Sequence, residues 1–242
     1  MRTHKKDLNI ISVILARGGS KGLKNKNIIH LCGKPLIHYT IKASKMSKYI
    51  TRTIVSTDCE ETKELALLSG AEVPFIRPDE ISDDLSTSEV ALKHAVDWLE
   101  VNENYFPDIV VYLQVTDPFR KNGMIDMCIE KLIDNPKLDS VFMGLLKHKN
   151  YWRKRNGKYE RMAGDIDPSD PRQIKEPVYR EDTGIALATR TKVIKEGKRI
   201  GNKVEIIPYD QDVDFIDIHK EFDLWLSKII MKKRNIYPNE EM

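Results

Sequence analysis

The sequence predicts an α/β fold, a Rossmann-like arrangement with a mostly parallel central sheet and a small inserted excursion. Three observations lead there. Short apolar runs alternate with amphipathic stretches in the order expected of strands joined by crossover helices. The run IVVYL at 109–113 is almost wholly apolar, as a strand buried on both faces is. It passes into the polar, turn-rich QVTDPFR, and the carboxyl end of a central strand is where an open α/β sheet holds its ligands.

The elements follow in chain order. Residues 11–15 form the first strand, and residues 35–47 carry apolar side chains at helical spacing. A second strand is expected at 53–56, a helix at 60–69 and a third short strand at 72–76. Ser86 or Thr87 caps a long helix reaching about residue 101, with Glu89 placed to complete its first turn. From residue 147 to 182 the strand and helix rhythm gives way to aromatic, basic and Pro/Asp-rich stretches. This excursion packs on the domain, reaches a second subunit or acts as a flap. The core pattern returns at 185–189 and 203–207, and a charged amphipathic helix closes the reading at 221–233. A single domain over residues 1–242, with the excursion at about 147–182, is the expected organisation.

Composition removes several classes. Forty basic against 37 acidic residues give a net charge of +3, a weak motive for binding nucleic acid. The cluster Lys147, His148, Lys149, Arg153, Lys154 and Arg155 around Tyr151 and Trp152 is the local exception. Cys32, Cys59 and Cys128 stand alone, without CxxC or zinc spacing, so a disulfide framework and structural zinc are not expected. The amino terminus shows no export signal, and no run reaches membrane-spanning length, so a cytoplasmic protein is expected.

The chemistry concentrates in ARGGSKGLKNKN at 16–27. Backbone at Gly18, Gly19 and Gly22 can approach phosphate oxygens, while Arg17, Lys21 and Lys26 neutralise the charge of a departing pyrophosphate. The spacing is neither GxxxxGK[ST] nor GxGxxG, which disfavours a P-loop kinase and a dinucleotide site. Asp214, Asp217 and Asp223 offer carboxylates for a divalent ion, Asp217 foremost. On an extended segment Asp217 and His219 point the same way, either toward such an ion or as turn and cap residues. Arg172 and Arg180 can clamp a carboxylate in two-pronged fashion, or form surface ion pairs. Asn27 and Arg77, with Ser82, Asp84 and Ser88 nearby, can address a pyrimidine edge. Gln114, Asp117 and Arg120 are candidates by position after the central strand. None of the six histidines sits in a triad or zinc motif, and His38 and His94 read as structural.

Six blocks in order, ARGGSKGLKNKN, VSTD (55–58), RPDEISDD (77–84), LQVTDPFR (113–120), PRQIKEPVYRED (171–182) and DIHKEFDL (217–224), closely resemble the acylneuraminate cytidylyltransferase family. The resemblance implies a Rossmann-like nucleotidyltransferase fold, and attack by the anomeric hydroxyl of a 2-keto-3-deoxy acidic sugar, of the sialic or nonulosonic type, on the α-phosphorus of CTP. A CMP-sugar and pyrophosphate result, with Mg²⁺, or alternatively Mn²⁺, assisting. Arg17, Lys21, Lys26 and Asp217 would carry the chemistry. Ala16, Arg17, Gly18, Lys21, Lys26, Asn27, Arg77, Asp84 and Ser88 would surround the nucleotide. Gln114, Asp117, Arg172, Arg180 and Asp182 would meet the sugar. Asp217 and His219 would hold the metal, with His219 alternatively holding a metal-bound water or leaving Asp217 as the sole protein ligand. His219 stands where the family usually has a second aspartate. After Arg180 the chain reads EDTG in place of the NG-containing turn common in sialic-acid enzymes, and an amino-bearing sugar could pair with Asp182. The excursion is expected to build a homodimer. Kdo or 8-amino-Kdo activation for lipopolysaccharide is the nearest alternative, and a nucleotide-binding protein without catalysis the remote one.

Overall fold

The computed structural model describes residues 8–20, 22–162, 171, 173, 177–209 and 216–233. Its centre is three parallel strands, β1 (Ile10–Leu15), β4 (Arg52–Ser56) and β5 (Ile109–Gln114), with β1 in the middle. β1 and β5 are apolar almost throughout and β4 is buried from Thr53 to Ser56, so both faces must be covered. One face packs α1 (Leu36–Lys45), α2 (Glu60–Leu68), α4 (Met124–Asp134) and α6 (Glu221–Lys233). The opposite face packs α3 (Ser88–Glu103) and α5 (Thr191–Lys195). Alternation along β1 divides the two cores, with Ile10 and Ile14 on one side and Ile11 and Val13 on the other.

The sheet continues beyond β5 through β10 (Leu187–Arg190), β6 (Ser140–Lys147) and β11 (Val204–Tyr209). β10 runs antiparallel between β5 and β6, so five of the strands share one direction while β10 and β9 (Val178–Glu181) oppose them. The expected mostly parallel architecture is therefore present, with an antiparallel insert beside the central strand. Two short hairpins complete the strands, β2 (His30–Leu31) with β3 (Lys34–Pro35), and β7 (Trp152–Arg155) with β8 (Lys158–Arg161).

β9 and β10 continue one another along β6 but are offset. Between the pairs Gly144↔Glu181 and Phe142↔Leu187, the single residue Met143 faces residues 182 to 186. Asp182 N donates to Met143 O at 3.1 Å and Met143 N to Ala186 O at 3.1 Å, which closes the bulge at both ends. The excess chain, Asp182 to Ile185, is pushed out toward the carboxyl end of β5, as bulges near sites commonly do.

Two expectations change. The stretch 72–76 makes only an isolated bridge, Ile54↔Glu72, because Pro74 and Pro78 cannot donate to a ladder. The excursion is not wholly outside the sheet, since β9 at its far end pairs with β6. Its β7–β8 hairpin turns at Asn156 (φ 51°) and Gly157 (φ 78°), the left-handed pair that an NG turn supplies. The cations there face the hairpin's own rings, Arg161 5.0 Å above Trp152 and Lys154 5.5 Å from Tyr159.

Candidate active site

The chain goes from β1 to β4 on one side and returns to β5 on the other, so the carboxyl ends of β1 and β5 flank a topological switch point. The glycine-rich loop leaves β1 there, and the polar turn leaves β5 beside it. Between them opens a cavity of about 520 Å³, lined by Arg17, Lys26, Asn27, Arg77, Ser88 and Gln114 among others. A smaller cavity of about 230 Å³ shares Gln114 with it and is walled by Asp117, the 181–185 bulge and Asp217.

The glycine loop is braced from several sides. Gly18 N donates to Asp58 Oδ1 at 2.8 Å, and Asn27 Nδ2 donates to Arg17 O at 2.8 Å. Gly22 is required for close approach, since a Cβ there would fall 2.9 Å from the His219 carbonyl oxygen. Ala16 is fully buried and its N–H is given to Ser56 O at 3.0 Å, so it anchors the loop to the sheet. Asn27 likewise spends its amide inside the loop. Arg17 spans the rim of the cavity to Asp83 O (2.5 Å) and Asp84 Oδ1 (2.7 Å), which puts Asp84 at the loop. Lys26 is half-buried, and burial lowers its pKa against the opposing pull of Asp217 and Asp117, with Arg17 lowering it further. Lys21 lies outside the described residues.

Arg77 is 4% exposed; Nε donates to Ser82 Oγ at 3.1 Å, while Nη2 makes no hydrogen bond and lies 3.8 Å from Asp58 Oδ1. Arg77 lines the cavity, and its Nη2 is a buried donor with that Asp58 carboxylate as its ion-pair partner. The N-terminus of α3 opens on the same space. Thr87 holds the N-cap position without a side-chain capping bond, and the preceding turn is organised by Asp83, which accepts from the backbone of Leu85 (3.0 Å) and Ser86 (2.7 Å). Glu89, expected to complete that cap, pairs with Arg199 at 3.5 Å.

At the end of β5, Tyr112 and Gln114 share one face of the strand. Gln114 Nε2 donates to Tyr112 Oη at 2.8 Å, and Ser88 Oγ lies 3.4 Å from the same hydroxyl. Sequence reasoning missed Tyr112, although its period-two relation to Gln114 signals a common face. Arg120, a candidate by position, is buried and acts as a clamp. Nη2 donates to Gln114 O (2.7 Å) and Gly184 O (2.8 Å), Nη1 to Thr40 Oγ1 (3.2 Å), and Nε to Ile185 O. It ties the end of β5 to the bulge and offers no free face to a ligand.

Asp217 and His219 do point the same way, and Asp217 Oδ2 lies 2.6 Å from His219 Nε2. The imidazole thus orients Asp217 through Nε2. Asp223 is a helix cap, accepting from His219 N and Lys220 N at 2.9 Å. Ile218 is fully buried and donates its N–H to Thr116 O at 2.9 Å, which pins this segment beside the turn that carries Asp117. Asp182 is occupied as well, bound by Arg180 through Nε (3.0 Å) and Nη2 (2.8 Å) and accepting the Tyr209 hydroxyl. Arg172 and Asp214 lie outside the described residues.

A family model described as cytidylyltransferase matches residues 11–168. The chain belongs to the cytidylyltransferase family. The pseudaminic acid cytidylyltransferase of Campylobacter jejuni is 38% identical over 125 residues, 52% of this chain and 53% of the relative. The N-acylneuraminate cytidylyltransferase of Streptococcus agalactiae is 31% identical over 236 residues, 93% of this chain and 55% of the relative. The chain spans about half the length of these curated relatives. A solved structure of CMP:2-keto-3-deoxy-manno-octonic acid synthetase complexed with CTP superposes at a TM-score of 0.71 and 13% identity, covering 93% of this chain and 99% of that one. That likeness establishes the nucleotidyltransferase fold.

In this member of the family Asp117 carries a pKa raised to about 7, first by desolvation and then by Asp217 and Asp182, with Arg120 opposing. A carboxyl whose folded pKa is raised holds its proton where the unfolded chain has lost it. Stability therefore falls as pH rises from about 4 to about 7. Melting curves in metal-free buffer should show this slope in the native sequence and a flatter one in Asp117→Asn. Parallel slopes would remove Asp117 as the cause.

Proposed function

We propose that the chain transfers CMP from CTP to the anomeric hydroxyl of an acidic 2-keto-3-deoxy sugar of the nonulosonic type, releasing pyrophosphate. The observation that carries this reading is the pair of cavities sharing Gln114 at the switch point, one bordered by the glycine loop and Lys26 and the other by Asp217. The triphosphate lies over Gly18, Gly19 and Gly22 with Arg17, Lys21 and Lys26 around it. Arg77 Nη2 and Ser88 face the nucleoside. The sugar occupies the smaller cavity beside Gln114 and Asp117, with Arg180 toward its carboxylate, a task the family resemblance also gives Arg172. The anomeric oxygen bonds to the α-phosphorus as the bridge to the β-phosphate breaks and the hydroxyl proton leaves. Positioning and charge neutralisation do most of this work.

The donor set suits Mg²⁺, which takes one or two carboxylates together with substrate phosphates. Among the described residues no group of three or more His, Cys, Asp or Glu side chains forms an all-protein cage. Asp217 would hold the ion with the triphosphate, Mn²⁺ being compatible with the same oxygen donors, and the ion would supply neutralisation of charge developing on the phosphates. His219 keeps Asp217 aligned for that task.

Pyrophosphate release with CTP, Mg²⁺ and a panel of keto sugar acids tests the reading. No release from any acid, with CTP binding demonstrated, would leave a nucleotide-binding protein. No described helix is long and apolar enough to cross a membrane, and a cytoplasmic setting suits the substrates. A homodimer through the excursion is part of the proposal, supported by Trp152 and Tyr159, which are 56% and 70% exposed. Light scattering should return twice the chain mass, and the mass of a single chain at working concentration would end that part.

A further inference from the structure

We infer that the sugar subsite selects a compact keto sugar acid bearing hydroxyl or amino groups where N-acylated sugars carry their acyl groups. This deepens the proposed transfer and rests on it. The wall of the smaller cavity is polar almost throughout. Glu181 accepts from Arg199 Nη2 at 2.8 Å, and Thr183 Oγ1 lies 3.5 Å from the same carboxylate oxygen. Opposite them stand Gln114 and Asp117. Their polar ends pack over Gly184, where a Cβ would fall 2.5 Å from both Gln114 Oε1 and Asp117 Oδ2. Gly184 is thus what lets both groups face the cavity.

Ile185 is the sole apolar side chain among the described lining residues, and it is only 2% exposed. Among the described residues the methyl end of an acyl group would have no apolar surface to meet beyond Ile185, and it would cover carboxylate and guanidinium groups without returning a hydrogen bond. A hydroxyl or an ammonium returns one. The volume argues in the same direction, because about 230 Å³ lies below the ~300 Å³ at the low end of small-molecule sites.

The amino group considered for Asp182 finds a different partner here. That carboxylate is already bound by Arg180 and Tyr209, whereas no described side chain donates a hydrogen bond to Asp117. The Glu181–Arg199 pair is the specificity-determining wall, and Asp117 is the polar group a substituent would reach.

The test compares N-acetylneuraminic acid with the same nine-carbon acid carrying hydroxyl in place of acetamido, and with an eight-carbon 3-deoxy-2-keto acid, each with CTP and Mg²⁺. The hydroxyl-bearing acids should exceed the N-acetyl acid in kcat/KM by at least ~10-fold. Equal or better use of the N-acetyl acid overturns the inference and leaves the transfer reaction standing. Release from none of the three overturns the inference, and silence across the wider panel of keto sugar acids, with CTP binding demonstrated, removes the transfer reading as well. The double variant Glu181→Leu/Arg199→Leu exchanges the ion pair for an apolar wall and should shift the ratio toward the N-acetyl acid. A ratio that stays put would show that this wall does not select.

Discussion

Lys26→Met is expected to lower kcat by about 10²–10³-fold, the usual cost of one group aimed at transition-state charge, with no loss of melting temperature. The two halves of that expectation have one cause. Lys26 enters a partly buried site from the 3-10 turn Lys26–Ile28 that follows Asn25 in left-handed conformation (φ 53°). Burial lowers its pKa, and the nearby Arg17 lowers it further, so the apo protein holds this ammonium at some expense. Asp217 and Asp117 recover only part of it. Methionine keeps the apolar stem and removes the charge, so stability should stay level or rise while function is lost, the pattern of a site selected for activity over stability. Steady-state kinetics beside a thermal melt reads both quantities. A loss of less than about threefold in kcat would take Lys26 away from the transferring phosphate.

Arg120→Met should destabilise the fold by about 3–5 kcal/mol, the largest stability effect expected of a single change near the site. Burial presses its pKa down to about 10, although Asp117 and Tyr112 raise it. Methionine approximates the length but leaves the Ile185 carbonyl without its donor, the Gln114 carbonyl with Thr40 Oγ1 alone and the Gly184 carbonyl with Gln114 N alone, and it removes the cation that opposes the raised pKa of Asp117. The midpoint of urea unfolding should drop with little change in slope. A loss under ~1 kcal/mol would mean that the bulge is held mainly by the strand bonds around Met143. Because Arg120 fixes both walls of the smaller cavity, KM for the sugar should rise even under conditions where the variant is fully folded.

Much of this was readable before any coordinates. β1, β4, β5 and α6 stand close to where apolar runs and helical spacing put them. The helix Met124–Asp134 has buried residues at 124, 125, 128, 129 and 132, a helical pattern open to inspection, yet no element was assigned there. The strand at 72–76 failed because two prolines outweigh local β propensity. Within the site, residue types were legible and pairings between distant residues were not. Asp217 and His219 stand two residues apart and their common side is readable from that spacing, as is that of Arg180 and Asp182. Arg17 to Asp84, by contrast, is set by how separate loops meet, which one-dimensional spacing does not encode. The 182–186 bulge escaped notice for the same reason. Its register is defined by β6, far away in the chain, and the EDTG sequence only shows that a turn is permitted.

The contact of Gly22 with the His219 carbonyl and the bond from Ile218 to Thr116 give the site a timetable. The glycine loop is made early in synthesis and the segment bearing Asp217 late, just ahead of α6. A nascent chain can therefore assemble its β1–β4–β5 core while the candidate site still lacks one side. On the proposed reading the site is whole only once the segment ahead of α6 has docked, so a ribosome-bound chain that already looks folded would remain silent until residues 216–233 have emerged.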